Sequence, residues 1–417
     1  IALTRATVEN GAPLPPSHLW RAFDAVYDET PVQTLRVGAV VPLEQSAPLR
    51  ELALAAAASL TQGERTGAAF AVWYADAYRD QWDQLRHAHT VEMRRMSGTP
   101  HDRFSGRLQS ESVIAEVEML LNDRVWSASQ LNDYGMCGFR FFAKRLLKLE
   151  PLLEPEDGMD AAQLGTLYHE ILEHTYRQLA EENIAIVPAN LQRALDLLEE
   201  NADRLLADAP NRIGFRAPAL WETEREVLLR RLRNLVQDDF DAGSKVNQVM
   251  ADLVPGERRP YRTEMPFGSS GVFTLDLGDE QLRLRGVIDR IDRVGDRAII
   301  VDYKSGSSEI PVSEIQRGRN FQMMIYLLAA HKALENQAEV AGGLFWHISS
   351  RRASGTLKPD DEAIEAGKGY LRRYLARGRA GNFASEANKI EGGKCSRYCD
   401  YSQLCRFNIM RHRKPDA

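Results

Sequence analysis

Four aspartates fall within residues 286–306, which alternate apolar and polar side chains on both sides of a Gly-Asp pair at 295–296. This pattern predicts a β-hairpin with a two-residue turn. The register of such a hairpin puts Asp289 directly opposite Asp302, with Lys304 on the same face. Opposed carboxylates have Cβ atoms about 4.5–5.5 Å apart and repel each other unless a cation lies between them. Mg²⁺ binds one or two carboxylates together with waters and substrate phosphates, so the pattern predicts a metal site suited to phosphodiester hydrolysis.

A second interpretation of the same acids is a solvated strand face. Arg290, Arg293 and Arg297 lie in the same two strands and could form surface ion pairs with the aspartates, which contribute little to stability. The alternation of the strands also turns Asp292 and Tyr303 to the opposite face. Residues outside the hairpin must therefore distinguish a metal site from a charged surface.

The elements that must position this hairpin are a mixture of helices and strands. Residues 51–95 and 125–149 have helical spacing, and helices continue to about residue 250. Further elements are predicted as strands near 261–267, 272–276, 282–294, 297–304 and 342–348 and as helices over 313–335 and 360–377. We therefore expect an α/β fold, with a mostly helical region over 1–115 and a sheet-containing domain over 116–417.

The composition bounds the class of protein. A chain of 417 residues with 44% hydrophobic side chains allows about two to three globular domains. The sequence contains no secretory signal, no apolar run of membrane length and no G-x-x-x-x-G-K-[ST] phosphate loop. We therefore expect an intracellular, cytoplasmic protein that does not enter a membrane. The chain begins at Ile1 without a methionine, and we expect it to be a fragment or a processed product.

The charge distribution restricts how nucleic acid could bind. A formal net charge of −6 gives no overall attraction to a polyanion, so binding would require local basic patches. Candidate patches are residues 140–148, 225–233 and 406–414. Each of them is also typical of the solvated face of an amphipathic helix, and only a position beside the acids would favour a role in binding.

Three of the four cysteines, Cys395, Cys399 and Cys405, lie within eleven residues, and Cys137 precedes them by about 260 residues. Four thiolates could together hold a metal group. Zinc sites of four cysteines usually have two close C-x₂₋₄-C pairs, whereas one distant thiol and three clustered thiols fit an iron–sulfur cluster better. Buried structural thiols without any metal are the third interpretation.

Six ordered blocks of the sequence resemble the RecB-like branch of the PD-(D/E)XK nucleases, and within it the iron–sulfur nuclease domain of AddB-type subunits of bacterial helicase–nucleases. The blocks are SASQLNDYGMCGFRFF, LGTLYHEILE, GVIDRID, VDYKSG, FQMMIYLLA and the cysteine-bearing tail, and they cover about residues 125–410. The resemblance implies a restriction-endonuclease-like core over 116–417, with a mixed central sheet flanked by helices and closed by an iron–sulfur cluster. The region 1–115 is similar to the end of a superfamily 1 helicase fold.

The resemblance also implies roles for individual residues of the hairpin and of the helix before it. Mg²⁺, or Mn²⁺ in its place, would be bound by His169, Asp289 and Asp302. The backbone carbonyl of Tyr303 would be a further ligand, and Lys304 would orient or activate the attacking water.

Two more groups of residues receive a role in the same way. Gln322 and Tyr326 lie one helical turn apart and would support the site or contact the nucleic-acid backbone, although ordinary helix packing explains this pair equally well. A 4Fe–4S cluster would be held by Cys137, Cys395, Cys399 and Cys405.

The sequence departs from the family pattern at two places. Ile288 stands where the family name has proline, which leaves the metal ligands unchanged. The tail spacing is C-x₃-C-x₅-C, whereas C-x₂-C-x₅-C is usual. His174 is a local alternative to His169, but HEILEH lacks the H-E-x-x-H spacing and does not predict a zinc protease.

We therefore expect a metal-dependent deoxyribonuclease that acts as a single-strand exonuclease in DNA repair and recombination. Its partner would be a helicase subunit or a helicase region of the same protein. Single-stranded DNA would lie in a basic groove with stacking aromatic residues, for which Phe139, Phe141 and Trp346 are candidates. The alternatives are a nuclease-like scaffold that binds DNA without cutting it and a four-cysteine zinc interaction module.

Overall fold

The chain divides into two compact units, Ile1–Glu92 and Met93–Ala417. The computed structural model describes residues 8–9, 12–13, 15–26, 40, 46, 49–61, 65–96, 103–104, 106–151, 158–267, 271–385, 390–391, 394–395 and 399–405. No helix within these ranges is long and apolar enough to cross a membrane. The basic run 406–414 lies outside the described residues.

The first part of the chain is mostly helical, as its spacing predicts. Its elements are β1 (Val8–Glu9), β2 (Ala12–Pro13), α1 (His18–Asp24), α2 (Leu49–Thr61), α3 (Arg65–Ala77) and α4 (Arg79–Met96). The two strands pair with each other.

Helices precede the sheet of the second unit. They are α5 (Glu111–Asn122), α6 (Ala128–Met136), α7 (Gly138–Phe141) with a π-helical turn at Phe142–Leu146, α8 (Ala161–Glu181), a 3₁₀ turn at Pro188–Asn190, α9 (Leu191–Ala207), α10 (Ala209–Ile213), α11 (Trp221–Phe240) and α12 (Lys245–Leu253). The remaining elements are β3 (Arg259–Pro266), β4 (Phe273–Asp276), β5 (Gln281–Leu284), β6 (Val287–Val294), β7 (Arg297–Lys304), α13 (Ser313–Gln316), α14 (Gln322–Ala333), β8 (Glu339–His347), β9 (Arg352–Leu357), α15 (Glu362–Arg379), β10 (Ile390–Glu391), β11 (Lys394–Cys395) and α16 (Ser402–Cys405).

A five-stranded sheet in the order β3-β6-β7-β8-β9 forms the centre of the second unit. β6 is antiparallel to both β3 and β7, whereas β7 and β8 are parallel and are connected through α13 and α14. The β6–β7 register pairs Val294 with Arg297, as the turn at 295–296 predicts. The expected α/β fold with a mixed central sheet is confirmed.

Both faces of the sheet are covered by helices. Ala298 and Ile300 of β7 pack in a core with α6, α14 and α15. The alternate residues Ile299, Val301 and Tyr303 pack in a second core with α8, α9 and α11. The middle of the hairpin is therefore fully enclosed, and a site can form only where its strands reach the edge of these cores.

Helix α8 begins at a strong N-terminal signal. The side chain of Asp160 accepts from the backbone N–H of Gln163, and the side chain of Gln163 accepts from the backbone N–H of Asp160, which makes a capping box. The apolar stripe from Leu167 to Tyr176 is buried. This anchoring fixes the rotation of the helix and turns His169 towards the β6–β7 hairpin.

Two predicted elements are interrupted by glycines. The predicted strand 282–294 is interrupted between Leu284 and Val287, and Gly286 in this gap lies against the ring of Phe267, where a Cβ would come within 2.6 Å of it. The predicted helix 313–335 is split at Gly318, whose φ of +68° favours glycine. Strand β9 contains few β-branched residues and is not indicated by the sequence.

Candidate active site

The structure brings His169 and Asp289 together where the β6–β7 hairpin meets α8, and Asp302 lies opposite Asp289 on the neighbouring strand. The pair next beyond the last ladder pair of β6 and β7 is Asp289 and Asp302. Asp289 Oδ2 accepts a hydrogen bond of 2.8 Å from the backbone N–H of Tyr303. His169 of α8 approaches the same carboxylate, with its Nδ1 3.4 Å from Asp289 Oδ2.

The side chain of Gln322 connects the second acid to the lysine. Gln322 Nε2 donates to Asp302 Oδ1 at 2.7 Å and to the hydroxyl of Tyr326 at 3.0 Å. Lys304 Nζ donates to Gln322 Oε1 at 2.9 Å and lies 2.6 Å from Asp302 Oδ2. Gln322 therefore contacts the acid cluster directly, and Tyr326 contacts it through Gln322. The Gln-x-x-x-Tyr pair at the start of α14 thus does more than pack within the helix.

One buried oxygen of this cluster lacks a well-directed donor. Asp302 is 1% exposed, and Lys304 lies close to its Oδ2 without the alignment of a hydrogen bond. No other donor in the described part of the chain reaches this oxygen. The Lys304 ammonium compensates Asp302 alone, so the opposed pair Asp289 and Asp302 keeps a negative charge that a bound cation would offset. Carboxylate oxygens with one imidazole are donors that fit Mg²⁺ or Mn²⁺.

Glu264 of β3 is a site residue that the sequence did not indicate. One potential ligand atom each of His169, Glu264 and Asp289 lies within 4.8 Å of the other two. In the β3–β6 register, Glu264 lies opposite Asp289, and its φ of +46° is uncommon for a residue with a side chain. Glu264 can therefore be recognised as a site residue only from its backbone conformation and the strand register, and no local sequence motif predicts either.

Burial and mutual repulsion perturb the ionisation of the acids. Burial raises the pKa of Asp302 to about 7, with a further contribution from the charge of Asp289 and an opposing one from Lys304. Burial also raises the pKa of Glu264 to about 7, together with Asp289. Burial alone would lower the pKa of His169, but the hydrogen bond and the charge of Asp289 outweigh burial and raise it. These shifts indicate too little positive charge around the carboxylates.

The back of the same hairpin carries a fully paired ionic network. Arg290 Nε and Nη2 donate to the two oxygens of Asp292 at 2.7 and 2.6 Å. Arg290 Nη1 donates to the hydroxyl of Tyr303 at 2.8 Å and lies 2.8 Å from Asp239 Oδ2. Arg258 donates to both Asp239 and Asp292. Burial alone would raise the pKa of Asp239, but the two guanidinium groups outweigh burial and lower it to about 2.

The four cysteines are all among the described residues and form no disulfide. Burial raises the pKa of Cys137 to about 11, and nearby Cys405 and Cys395 contribute to the shift. The hydroxyl of Tyr401 donates to the carbonyl oxygen of Leu149 at 2.7 Å, which ties the tail to the segment after α7. No three of these thiols lie within 4.8 Å of one another.

Two of the three aromatic residues expected to stack on bases are wrong, because Phe141 and Trp346 are fully buried. Arg140, Lys144 and Arg145 of the run 140–148 lie around Asp133. In the run 225–233, Arg225 pairs within α11, Arg231 donates to Tyr168 of α8, and Arg233 donates to Glu199 of α9. Lys148 and Arg230 are exposed, so part of the positive charge of both runs stays accessible.

Residues 125–406 match the family model of the PD-(D/E)XK nuclease superfamily. The match covers more than half of the chain and includes the hairpin, α8 and α14. The chain therefore belongs to the PD-(D/E)XK nuclease superfamily.

Curated relatives within this class include components of helicase/deoxyribonucleases. The chain is 29% identical over 252 residues to the B subunit of the ATP-dependent helicase/deoxyribonuclease of Symbiobacterium thermophilum, a match that covers 57% of this chain and 19% of the relative. The B subunit of the Listeria innocua enzyme is 28% identical over 253 residues, with shares of 57% and 20%. The chain spans about a fifth of the length of these relatives. The resemblance to AddB-type subunits is confirmed.

Proposed function

We propose that this chain is a divalent-metal-dependent deoxyribonuclease that hydrolyses phosphodiester bonds of single-stranded DNA as an exonuclease. It acts in the cytoplasm, in DNA repair and recombination, with a helicase subunit or a helicase region of the same protein. The pair of carboxylates Asp289 and Asp302 beside Lys304, in a chain of a nuclease superfamily, carries this proposal. The names of the relatives support the DNA substrate and the helicase partner.

The acid cluster supplies the donors for a metal ion. Mg²⁺, or Mn²⁺ in its place, polarises a phosphate oxygen and lowers the pKa of a water when it is bound in such a site. Asp289, Asp302 and His169 would hold the ion. Glu264 has a ligand atom within 4.8 Å of those of His169 and Asp289 and would be a further donor, and the backbone carbonyl of Tyr303 would be another. The raised pKa values of Asp302 and Glu264 support this role, because a cation stabilises the ionised carboxylates that burial and the charge of Asp289 disfavour.

Lys304 is placed to act on the nucleophile. One of its N–H groups donates to Gln322 and a second lies against Asp302, which leaves the third for a water or a phosphate oxygen. The ring of Phe345, 5.1 Å from Nζ, limits the movement of the side chain. Lys304 would therefore orient the attacking water, and Gln322 and Tyr326 would act as positioning residues.

A 4Fe–4S cluster held by the four cysteines is a separate part of the proposal. Cys137 precedes the hairpin by about 150 residues and the other three cysteines follow it. A shared cluster would close this long loop and stabilise the domain around the acids, since closing a loop of this length costs chain entropy. The split of one distant and three clustered cysteines in the sequence favours a cluster over a single zinc ion.

The first experiment is cleavage of labelled single-stranded DNA with Mg²⁺ by anaerobically purified protein, beside Asp302→Ala and Lys304→Ala. We expect the parent to cut and both variants to lose about 10²–10⁴-fold in rate, while all three bind iron and are brown. The matched control is Lys332→Ala, because this exposed lysine of α14 pairs only with Glu335 and is expected to leave cleavage unchanged.

Two outcomes would favour the alternatives. A parent protein that binds DNA but does not cut it with Mg²⁺ or Mn²⁺ would be a nuclease-like scaffold. A colourless protein that contains zinc would favour the zinc interaction module at the cysteines, independently of the result for the acids.

A further inference from the structure

An open groove with a volume of about 430 Å³ adjoins the acid cluster. Two residues that line it, Thr263 and Glu264, also line the pocket that contains His169 and Asp289. The groove therefore continues directly from the proposed metal site.

The groove runs along the outer edge of the sheet. Its first wall is β3, which is the edge strand in the described sheet order. Consecutive residues 261–266 line it, and because side chains of a strand alternate between faces, such a run marks the edge of the strand. Its second wall is α8, through Arg177, Ala180 and Glu181, which share one side of the helix. His169 lies eight residues earlier on α8, about 12 Å away along the axis.

Two guanidinium groups at this edge have no carboxylate partner. Arg262 donates to the side-chain oxygen of Gln337 at 2.8 Å, and Arg293 donates to two backbone carbonyl oxygens at 3.1 and 3.2 Å. Neither forms an ion pair with any residue that the structure describes, whereas Arg177 pairs with Glu173 at 2.7 Å. Glu181 and Glu264 also line the groove, so an anionic ligand is favoured at the position of Arg262, which lines the groove without a carboxylate partner among the described residues.

A tyrosine holds both cations in place. The guanidinium carbons of Arg262 and Arg293 lie 5.2 and 5.1 Å from the ring centroid of Tyr261, and the Tyr261 hydroxyl donates to Gln337 at 3.1 Å. Cation–π contacts of this kind order the arginine side chains before a ligand arrives. Arg262 is exposed, so its charge is accessible from the groove.

We propose that this groove binds the DNA strand next to the bond that is cut, with Arg262 contacting a backbone phosphate. The inference rests on the proposed function, because it assigns the groove to the substrate of the adjoining acid cluster. A cation and an aromatic ring along an open groove are typical of surfaces that bind single strands without sequence preference. A strand that follows β3 from Arg262 reaches Glu264 within about 7 Å.

The test is the affinity of the full chain for a short fluorescent single strand of DNA, measured by anisotropy over a range of salt with Ca²⁺ in place of Mg²⁺. We expect Arg262→Ala to raise Kd about 5–10-fold and to reduce the salt slope by about one, because one phosphate contact is lost. Arg262→Lys should restore the salt slope, because it keeps the charge. Arg259→Ala is the matched control, since Arg259 lies in the same strand outside the groove and pairs with Glu257.

Several outcomes would contradict the proposal that the groove binds DNA. Arg262→Ala with the Kd and salt slope of the parent would reject it, and an equal loss in Arg259→Ala would show that only general charge is involved. Cleavage assays with Mg²⁺ separate this proposal from the nuclease proposal. If the parent protein cuts DNA and Arg262→Ala binds DNA as the parent does, only the proposal for the groove is rejected. A parent that never cuts but binds through Arg262 supports the groove and rejects hydrolysis.

Discussion

The two faces of the β6–β7 hairpin carry the same kinds of charged side chain. The positive and negative charges balance on the back face, whereas the front face has more negative than positive charge. On the back, two arginines and two aspartates are buried and paired with one another. On the front, Asp289, Asp302 and Glu264 share one lysine and one histidine, and one oxygen of Asp302 lacks a well-directed donor. A single residue step along each strand separates the two sets.

The difference separates the residues that stabilise the fold from those that can do chemistry. A buried network in which every charge is paired fixes two strands and has no capacity for a ligand. A cluster that is short of positive charge accepts a divalent cation at the cost of some stability of the free protein. Tyr303 joins the two, because its hydroxyl accepts from Arg290 on the back and its backbone N–H donates to Asp289 on the front.

The largest effect on stability is expected from the back face. Asp292→Asn should lower the free energy of unfolding by about 3–5 kcal/mol, because it leaves Arg258 and Arg290 short of a buried counter-charge. Urea denaturation followed by circular dichroism measures this change. Arg258→Met combined with Asp292→Leu should recover part of the loss, because the pair of Arg290 and Asp239 remains intact. An Asp292→Asn protein as stable as the parent would show that the back network is not structural.

A substitution on the front face is expected to raise the free energy of unfolding, which is opposite in sign to the effect on the back face. The folded-state pKa of Asp302 is about 7, above the value of about 3.8 in an unfolded chain, so its ionisation opposes folding increasingly as pH rises from about 4 to about 7. Asp302→Asn should therefore raise the free energy of unfolding by about 2 kcal/mol at pH 8 in buffer without divalent metal, and by less at pH 5.5. Urea titrations at the two pH values measure it. If Asp302→Asn were less stable than the parent at pH 8, the proposed difference between the two faces would be wrong.

The smallest effect tests the connection between the faces. Tyr303→Phe and Tyr176→Phe each remove a hydroxyl that is bonded to the back network, to Arg290 and to Asp239 respectively. Both should cost about 1 kcal/mol of stability. Only Tyr303→Phe should also weaken Mn²⁺ binding, about 3–10-fold by calorimetry, because the backbone N–H of Tyr303 donates to Asp289 of the proposed metal site. Equal Mn²⁺ affinities of the two variants would mean that the back network does not position the front.

The hairpin could be predicted from local sequence because its information is local. The Gly-Asp turn fixes the register, and the register alone places Asp289 opposite Asp302 and turns Asp292 and Tyr303 to the other side. The spacing of Gln322 and Tyr326 could likewise be interpreted, because one helical turn puts both side chains beside Asp302.

The remaining features depend on contacts between distant segments. Asp239 and Arg258 join the back network from α11 and from the segment before β3, and neither position carries a motif. Glu264 reaches the site because its backbone in β3 is left-handed. A glutamate in the sequence does not predict this conformation. A side chain at position 286 would collide with the ring of Phe267, a contact between segments that no local pattern reveals. Such features follow from the packed fold and not from local periodicity.

The segment before α5 and the segment after α15 are hydrogen-bonded neighbours. The backbone N–H of Leu108 donates to the carbonyl of Gly381 at 2.9 Å, and that of Phe383 donates to the carbonyl of Gly106 at 2.8 Å. The chain therefore closes on itself here through its backbone, which holds α5 beside α15 whatever side chains the two segments carry.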